Sequence, residues 1–180
     1  MEKRTVLFVD DEERVLSCLK GGLLDEPYKT LFASSGKEAL EILEQNEVQV
    51  IVTDMSMQEM GGLELLKIVK EEYPHIVRMV LSGYTQVTTL LTAINQGEIF
   101  RFITKPWDFE EGFKPAVRQA IEYYDLHSER EMLMRFVEQV MDDNEPDKVN
   151  LLLIQAIISK HKKQLHEWEK KCNSVPLSSQ

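Results

Sequence analysis

Five short apolar runs constrain this chain more than any other feature: Thr5–Val9, Lys29–Ala33, Val48–Thr53, Ile76–Leu81 and Ile99–Thr104. They are rich in β-branched residues and lack the alternation of a half-exposed strand, so they read as strands buried on both faces. Between them lie stretches with apolar residues at helical spacing. Val15, Leu16, Leu19 and Leu23 form the first, and Ala39, Leu40, Ile42 and Leu43 the second. Leu63, Leu66 and Val69 mark a third, Leu90, Leu91 and Ile94 a fourth, and Phe113, Val117, Ala120, Ile121 and Tyr124 a fifth. Strict strand–helix alternation predicts a parallel sheet with helices on both faces, because parallel neighbours need crossovers.

The expected fold is therefore α/β, a doubly wound five-stranded sheet of flavodoxin-like kind with strand order 2-1-3-4-5, followed by an α-helical extension. Ser35 with Glu38 three positions later fits a capping box. Pro115 would break a helix beginning at Asp108, so the fifth helix is placed to start near Gly112. Its apolar stripe lapses at His127–Glu131 and resumes with Leu133, Phe136, Val137 and Val140, which predicts either one long helix or a break near Ser128. Asp142–Pro146 (DDNEP) reads as a turn. Beyond it Ile154, Ile158, His161, Leu165, Trp168 and Cys172 follow the alternating spacing of a coiled-coil seam. The expected organisation is a domain at 1–126, a helical extension at 127–172 that dimerises or docks a partner, and a frayed tail at 173–180.

At 180 residues and 43% apolar content the chain can bury a proper core. Its net charge of −10 is uneven: residues 1–142 carry 26 acids against 15 Lys and Arg, and residues 143–180 carry 5 against 6. No basic footprint for nucleic acid is present. No apolar run has membrane-spanning length, and acids stand where a signal peptide would be apolar, so a cytoplasmic protein is expected. Cys18 and Cys172 are far apart and lack metal-ligand spacing, which fits free thiols.

The strand ends carry the chemistry. Ligands collect beyond the carboxyl ends of a parallel sheet, and there the runs deliver Asp10 and Asp11, Asp54, Ser82 and Lys105. Carboxylates crowded into one crevice repel one another unless a cation neutralises them, and an all-oxygen site suits Mg²⁺. Asp54 is then placed to attack a phosphoryl group, with Lys105 pairing a phosphoryl oxygen and Ser82 donating a hydrogen bond to another.

FVDDE at 8–12, TDMSM at 53–57, LSGY at 81–84 and FRFITKPW at 100–107 resemble, in order and interval, the signatures of the response-regulator receiver domain of two-component systems. The similarity covers about residues 3–126, and the FRFITKPWD segment most resembles receivers that precede cyclic-di-GMP phosphodiesterase (HD-GYP-like) or related output domains. The resemblance implies that Asp54 is the phospho-acceptor, served by a sensor histidine kinase. It also implies that Asp11 binds Mg²⁺ directly, Asp10 through water, and Ser56 through its backbone carbonyl. Ser82 and Lys105 would read the phosphoryl group, Phe102 would be the aromatic that changes rotamer with it, and Lys105–Pro106 would be a cis bond. The switch would be a population shift. Apart from the resemblance, an apolar seam on so short a helix pair needs a second surface to cover it, which predicts homodimerisation or partner docking through the C-terminal helices. Three departures stand out. Gln58 replaces the usual Pro and Gly61–Gly62 the usual Asp-Gly, both predicting a looser loop after Asp54, and Phe102 has no hydroxyl.

Each residue also has a plainer reading. Asp10 and Asp11 could be charges at a helix N-terminus, Asp54 and Ser82 turn residues, Lys105 a solvated lysine and Phe102 core. Trp107 reads as packing. His161 reads as an interface histidine rather than a relay group, and His75, His127 and His166 show no metal grouping. A Mg²⁺-dependent aspartyl phosphatase would want a second acid two positions after its nucleophile, where Ser56 stands. A nucleotide or flavin binder would want a Gly-rich loop after the first strand, and none is there.

Overall fold

The computed structural model describes residues 3–83 and 99–142, with 155, 157–160, 162, 163 and 166 beyond them. The expected helix at Leu90–Ile94, the DDNEP turn after Asp142 and most of the proposed seam lie outside the described residues.

The chain runs β1 (Thr5–Val9), α1 (Glu13–Gly22), β2 (Lys29–Ala33), α2 (Gly36–Gln45), β3 (Val50–Asp54), α3 (Gly62–Glu72), β4 (Val77–Ser82), β5 (Arg101–Thr104), a π-helical turn (Phe109–Phe113) and α4 (Lys114–Asp142). All pairings are parallel and the sheet order is β2-β1-β3-β4-β5, as the alternation predicts. β1 and β2 coincide with their apolar runs. β3 and β4 end one residue later than theirs, because Asp54 pairs with Leu81, and Ser82 with Thr104. Pairing follows the neighbouring backbone, which does not require the last side chain to be apolar.

Successive strand residues serve opposite faces. Leu7, Val9, Ile51 and Val80 join Ala39 and Leu43 of α2 and Leu65, Leu66 and Val69 of α3 in one core cluster. Val6, Phe8, Val50, Val52, Met79 and Leu81 join Leu19 of α1 and Phe113, Val117 and Ala120 in the other. Burial on both faces explains why the central strands β1, β3 and β4 carry no polar alternation, while the edge strands β2 and β5 are only partly buried; the C-terminal ends form the open rim.

Local signals are partly as expected. The Ser35 hydroxyl caps α2 by accepting from Glu38 N at 3.2 Å. Glu38 does not close the box on Ser35; its carboxylate accepts instead from Ser34 N and the Ser34 hydroxyl, at 2.7 and 2.6 Å. The predicted start near Gly112 is also corrected. Asp108 accepts from Glu110 N and Glu111 N at 2.8 and 2.7 Å, opening a wide π-helical turn that brings Pro115 into the first turn of α4. There its missing N–H costs nothing.

The chain divides into two compact units, Met1–Tyr124 and Asp125–Gln180. α4 continues without interruption through Ser128 to Asp142, so the alternative of a break there is excluded. The lapse in its stripe corresponds to exposed residues 128–132. No helix among the described residues is long and apolar enough to cross a membrane.

Candidate phospho-acceptor site

Three strand ends place their side chains together. Asp10 directly follows β1 and is wholly buried, Asp54 closes β3 and is 7% exposed, and Lys105 directly follows β5. The Lys105 ammonium lies 2.8 Å from Asp10 Oδ2 and 2.6 Å from Asp54 Oδ1, bridging the two carboxylates. The second oxygen of each is also satisfied: Asp10 Oδ1 accepts from Glu12 N at 2.9 Å, and Asp54 Oδ2 from Ser56 N at 2.6 Å. Asp11 is exposed, and its Oδ2 accepts from Gln58 N at 3.0 Å.

Burial pushes the Asp10 carboxyl above its ordinary value, against the lowering influence of the Lys105 and Glu12 hydrogen bonds. Burial also pulls the Lys105 ammonium down, but the hydrogen bonds it donates to Asp10 and Asp54 outweigh it and hold the group above its usual value. The lysine thus holds its proton more tightly than a free one, while at Asp10 burial raises the carboxyl and its hydrogen-bond partners oppose the rise.

Ser82 meets the same rim through its backbone, where Lys105 N donates to its carbonyl at 2.8 Å. Its hydroxyl donates to Gly83 O at 2.9 Å and lies 3.9 Å from Met55 Sδ. Phe102 is half-buried against the core cluster of α2 and α3. The Lys105–Pro106 bond is cis, as the receiver resemblance implies.

The loop after Asp54 is more tightly drawn than its sequence predicts. A Cβ on Gly62 would stand 2.0 Å from the Asp54 carbonyl oxygen, so this close approach needs glycine. Gly62 N donates to Met55 O at 3.1 Å, and Met60 N to Gln58 O at 2.7 Å around Glu59, whose φ is 63°. The N–H on Asp11 that a proline at 58 would lack is the signal that reading the loop by side chains alone missed.

The donor set here is oxygen only, with the Asp10 and Asp54 carboxylates buried and that of Asp11 exposed to water, which is the chemistry a hard divalent cation accepts. Among the described residues no three acidic, histidine or cysteine side chains converge into a metal-holding group. Lys105 bridges Asp10 and Asp54 but offsets only one of the three carboxylate charges of Asp10, Asp11 and Asp54, so a divalent cation would join a rim that keeps negative charge.

Residues 6–116 match the model of the response regulator receiver domain. The chain belongs to the response-regulator receiver family. Over 132 residues it is 39% identical to the hydrogenase transcriptional regulatory protein HoxA of Cupriavidus necator, covering 73% of this chain and 27% of that protein. The receiver therefore spans about a quarter of the length of that relative. Among solved structures, the one described as adenylate cyclase from Rhodopirellula baltica superposes with a TM-score of 0.70 at 32% identity, covering 74% of this chain and 98% of that one. The signal receiver domain of an HD domain-containing protein from Pseudomonas fluorescens gives a TM-score of 0.64 at 34% identity, covering 69% and 98%. A receiver attached to an HD domain thus stands among its neighbours, in keeping with the resemblance of the FRFITKPWD segment. Receiver domains are signalling switches that work with histidine kinases through an acceptor carboxylate.

Proposed function

We propose that Asp54 is the phospho-acceptor of a two-component response regulator and that a sensor histidine kinase supplies the phosphoryl group. The observation that carries this reading is the Lys105 ammonium held at 2.6 Å from Asp54 and 2.8 Å from Asp10 at the open end of the sheet. A pre-placed cation beside a nucleophilic carboxylate stabilises charge as it develops on a transferring group without reorganising at that moment. Ser56 N orients the same carboxylate from its other oxygen.

When Asp54 becomes an acyl phosphate it loses its formal charge at Oδ1. Lys105 is then released from that pairing and can turn to a phosphoryl oxygen. The Ser82 hydroxyl can exchange its Gly83 carbonyl for another phosphoryl oxygen, and Phe102, only half-buried, can follow. Each exchange favours one arrangement over another, so phosphorylation acts as a population shift. Asp10, Asp11, Asp54 and the Ser56 carbonyl would hold Mg²⁺, which would supply charge compensation at the phosphoryl oxygens. The chain would catalyse only its own phosphorylation and dephosphorylation. Ser56 stands where an aspartyl phosphatase would need its proton donor.

Residues 1–126 would form the cytoplasmic receiver and 127–172 a helical extension, ahead of a tail at 173–180. The extension would mediate homodimerisation or docking of a protein partner rather than nucleic-acid or membrane contact. A second arrangement, in which the chain is the receiver of a larger cyclic-di-GMP-related protein, draws support from the HD-associated neighbour. A small phosphodonor with Mg²⁺ should label the wild type and leave Asp54→Asn unlabelled; equal labelling of the two would end the assignment.

A further inference from the structure

We infer that the backbone N–H of Gln58 is a positioning donor for the cation site: it holds Asp11 against the loop after Asp54, so that the carboxylate is in place before a divalent cation arrives. This rests on the magnesium reading above. Asp11 is exposed, and an exposed aspartate on a loop would otherwise sample several rotamers. Its Oδ2 instead accepts from a residue 47 positions away, at 3.0 Å. The donor is itself held. Met60 N closes on the Gln58 carbonyl at 2.7 Å, with Glu59 between them at a φ of 63° that side chains rarely adopt. Gly62 N closes the next turn on Met55 O at 3.1 Å. Residue 58 is therefore held through its carbonyl on the C-terminal side, while its N–H, in the preceding peptide, meets Asp11.

The bond engages one carboxylate oxygen and leaves Oδ1 for a cation. Charge-assisted N–H···O⁻ bonds are the stronger kind, so the tether is suited to ordering a side chain in water. The Gln58 side chain takes no part in it. Any residue other than proline keeps the donor, which ties a departure from the usual receiver sequence to a specific consequence at the metal ligand.

Two measurements on the full chain test this. In metal-free buffer, the Gln58 amide should exchange with solvent about tenfold faster in Asp11→Ala than in the wild type, as loss of one charge-assisted bond implies. Equal rates would overturn the tether. In a Mg²⁺ titration followed by calorimetry, Gln58→Pro should bind roughly three- to tenfold more weakly than Gln58→Ala, the cost of ordering one further side chain on binding. Both variants are first shown by circular dichroism to be folded. Equal or tighter binding by the proline variant would overturn the positioning role. A wild type with a protected Gln58 amide but no Mg²⁺ binding would retire the magnesium reading and the positioning role together, while leaving the bond itself established.

Discussion

Lys105→Met, which removes the ammonium and keeps most of the stem, should cost the receiver about 3 kcal/mol at neutral pH in metal-free buffer. The magnitude follows from the geometry. Asp10 is wholly buried and would keep only the Glu12 N–H at 2.9 Å, and Asp54 only the Ser56 N–H at 2.6 Å. Removing one partner of a buried ion pair costs roughly 3–5 kcal/mol. The Lys105 side chain is 24% exposed, so water screens part of the interaction and the low end applies.

The pH dependence has a definite sign. Asp10 already has a folded-state pKa above its ordinary 3.8, and losing Lys105 removes one influence that lowers it. A carboxyl raised in the folded state binds its proton more tightly there than in the unfolded chain. Its contribution to stability is full below 3.8 and is lost as pH rises through the raised value. The deficit of the variant should therefore be largest at neutral pH and shrink on acidification toward 3.8. Urea slopes of about 1–3 kcal/mol/M convert 3 kcal/mol into a midpoint shift of about 1–3 M. Urea titrations of both proteins at neutral and mildly acidic pH read this directly. No midpoint shift, or a shift that does not change with pH, would refute the claim that Lys105 is the counter-charge of Asp10.

Other consequences can be measured alongside it. Gly62→Ala should destabilise the fold by about 1–3 kcal/mol, as overpacking does, because its methyl would meet the Asp54 carbonyl at 2.0 Å; thermal melts check this. Tyr28→Phe should be neutral or stabilising by about 1 kcal/mol, because the Tyr28 hydroxyl is buried without a hydrogen-bond partner. Burial raises the Tyr28 phenol in the folded state, so the wild type should lose stability as pH rises above 10.0 and the variant should lose less; denaturation across alkaline pH reads the difference. Removing residues 143–180 should lower the oligomeric state, and an unchanged mass by light scattering would reject helical dimerisation.

Much of this arrangement was legible in the chain. β1 coincides with its run because burial on both faces demands apolar residues throughout the strand, whereas β2, an edge strand with Lys29 exposed and most of its length half-buried, is recovered from its end at residues 31–33. Asp10, Asp54 and Lys105 could be placed at one rim because parallel topology sends every strand's C-terminal end the same way. Less legible was whatever depends on the backbone alone. Asp108 caps a π-helical turn through two N–H groups, and Glu38 reaches Ser34 rather than Ser35. The replacement of proline by Gln58 suggested a looser loop, yet the residue adds a donor that proline cannot supply. The bridge that Lys105 makes between Asp10 and Asp54 was hidden as well, because composition shows which charges meet but not which pair.

Reductive trapping of the phosphorylated wild type, followed by peptide mass mapping, tests the central claim most directly. Borohydride converts an acyl phosphate to an alcohol and so marks the carboxylate that carried the phosphoryl group. The account predicts the mark at Asp54, dependent on both phosphodonor and Mg²⁺. A mark at Asp10 or Asp11, or none at any aspartate under conditions that label the protein, would contradict it.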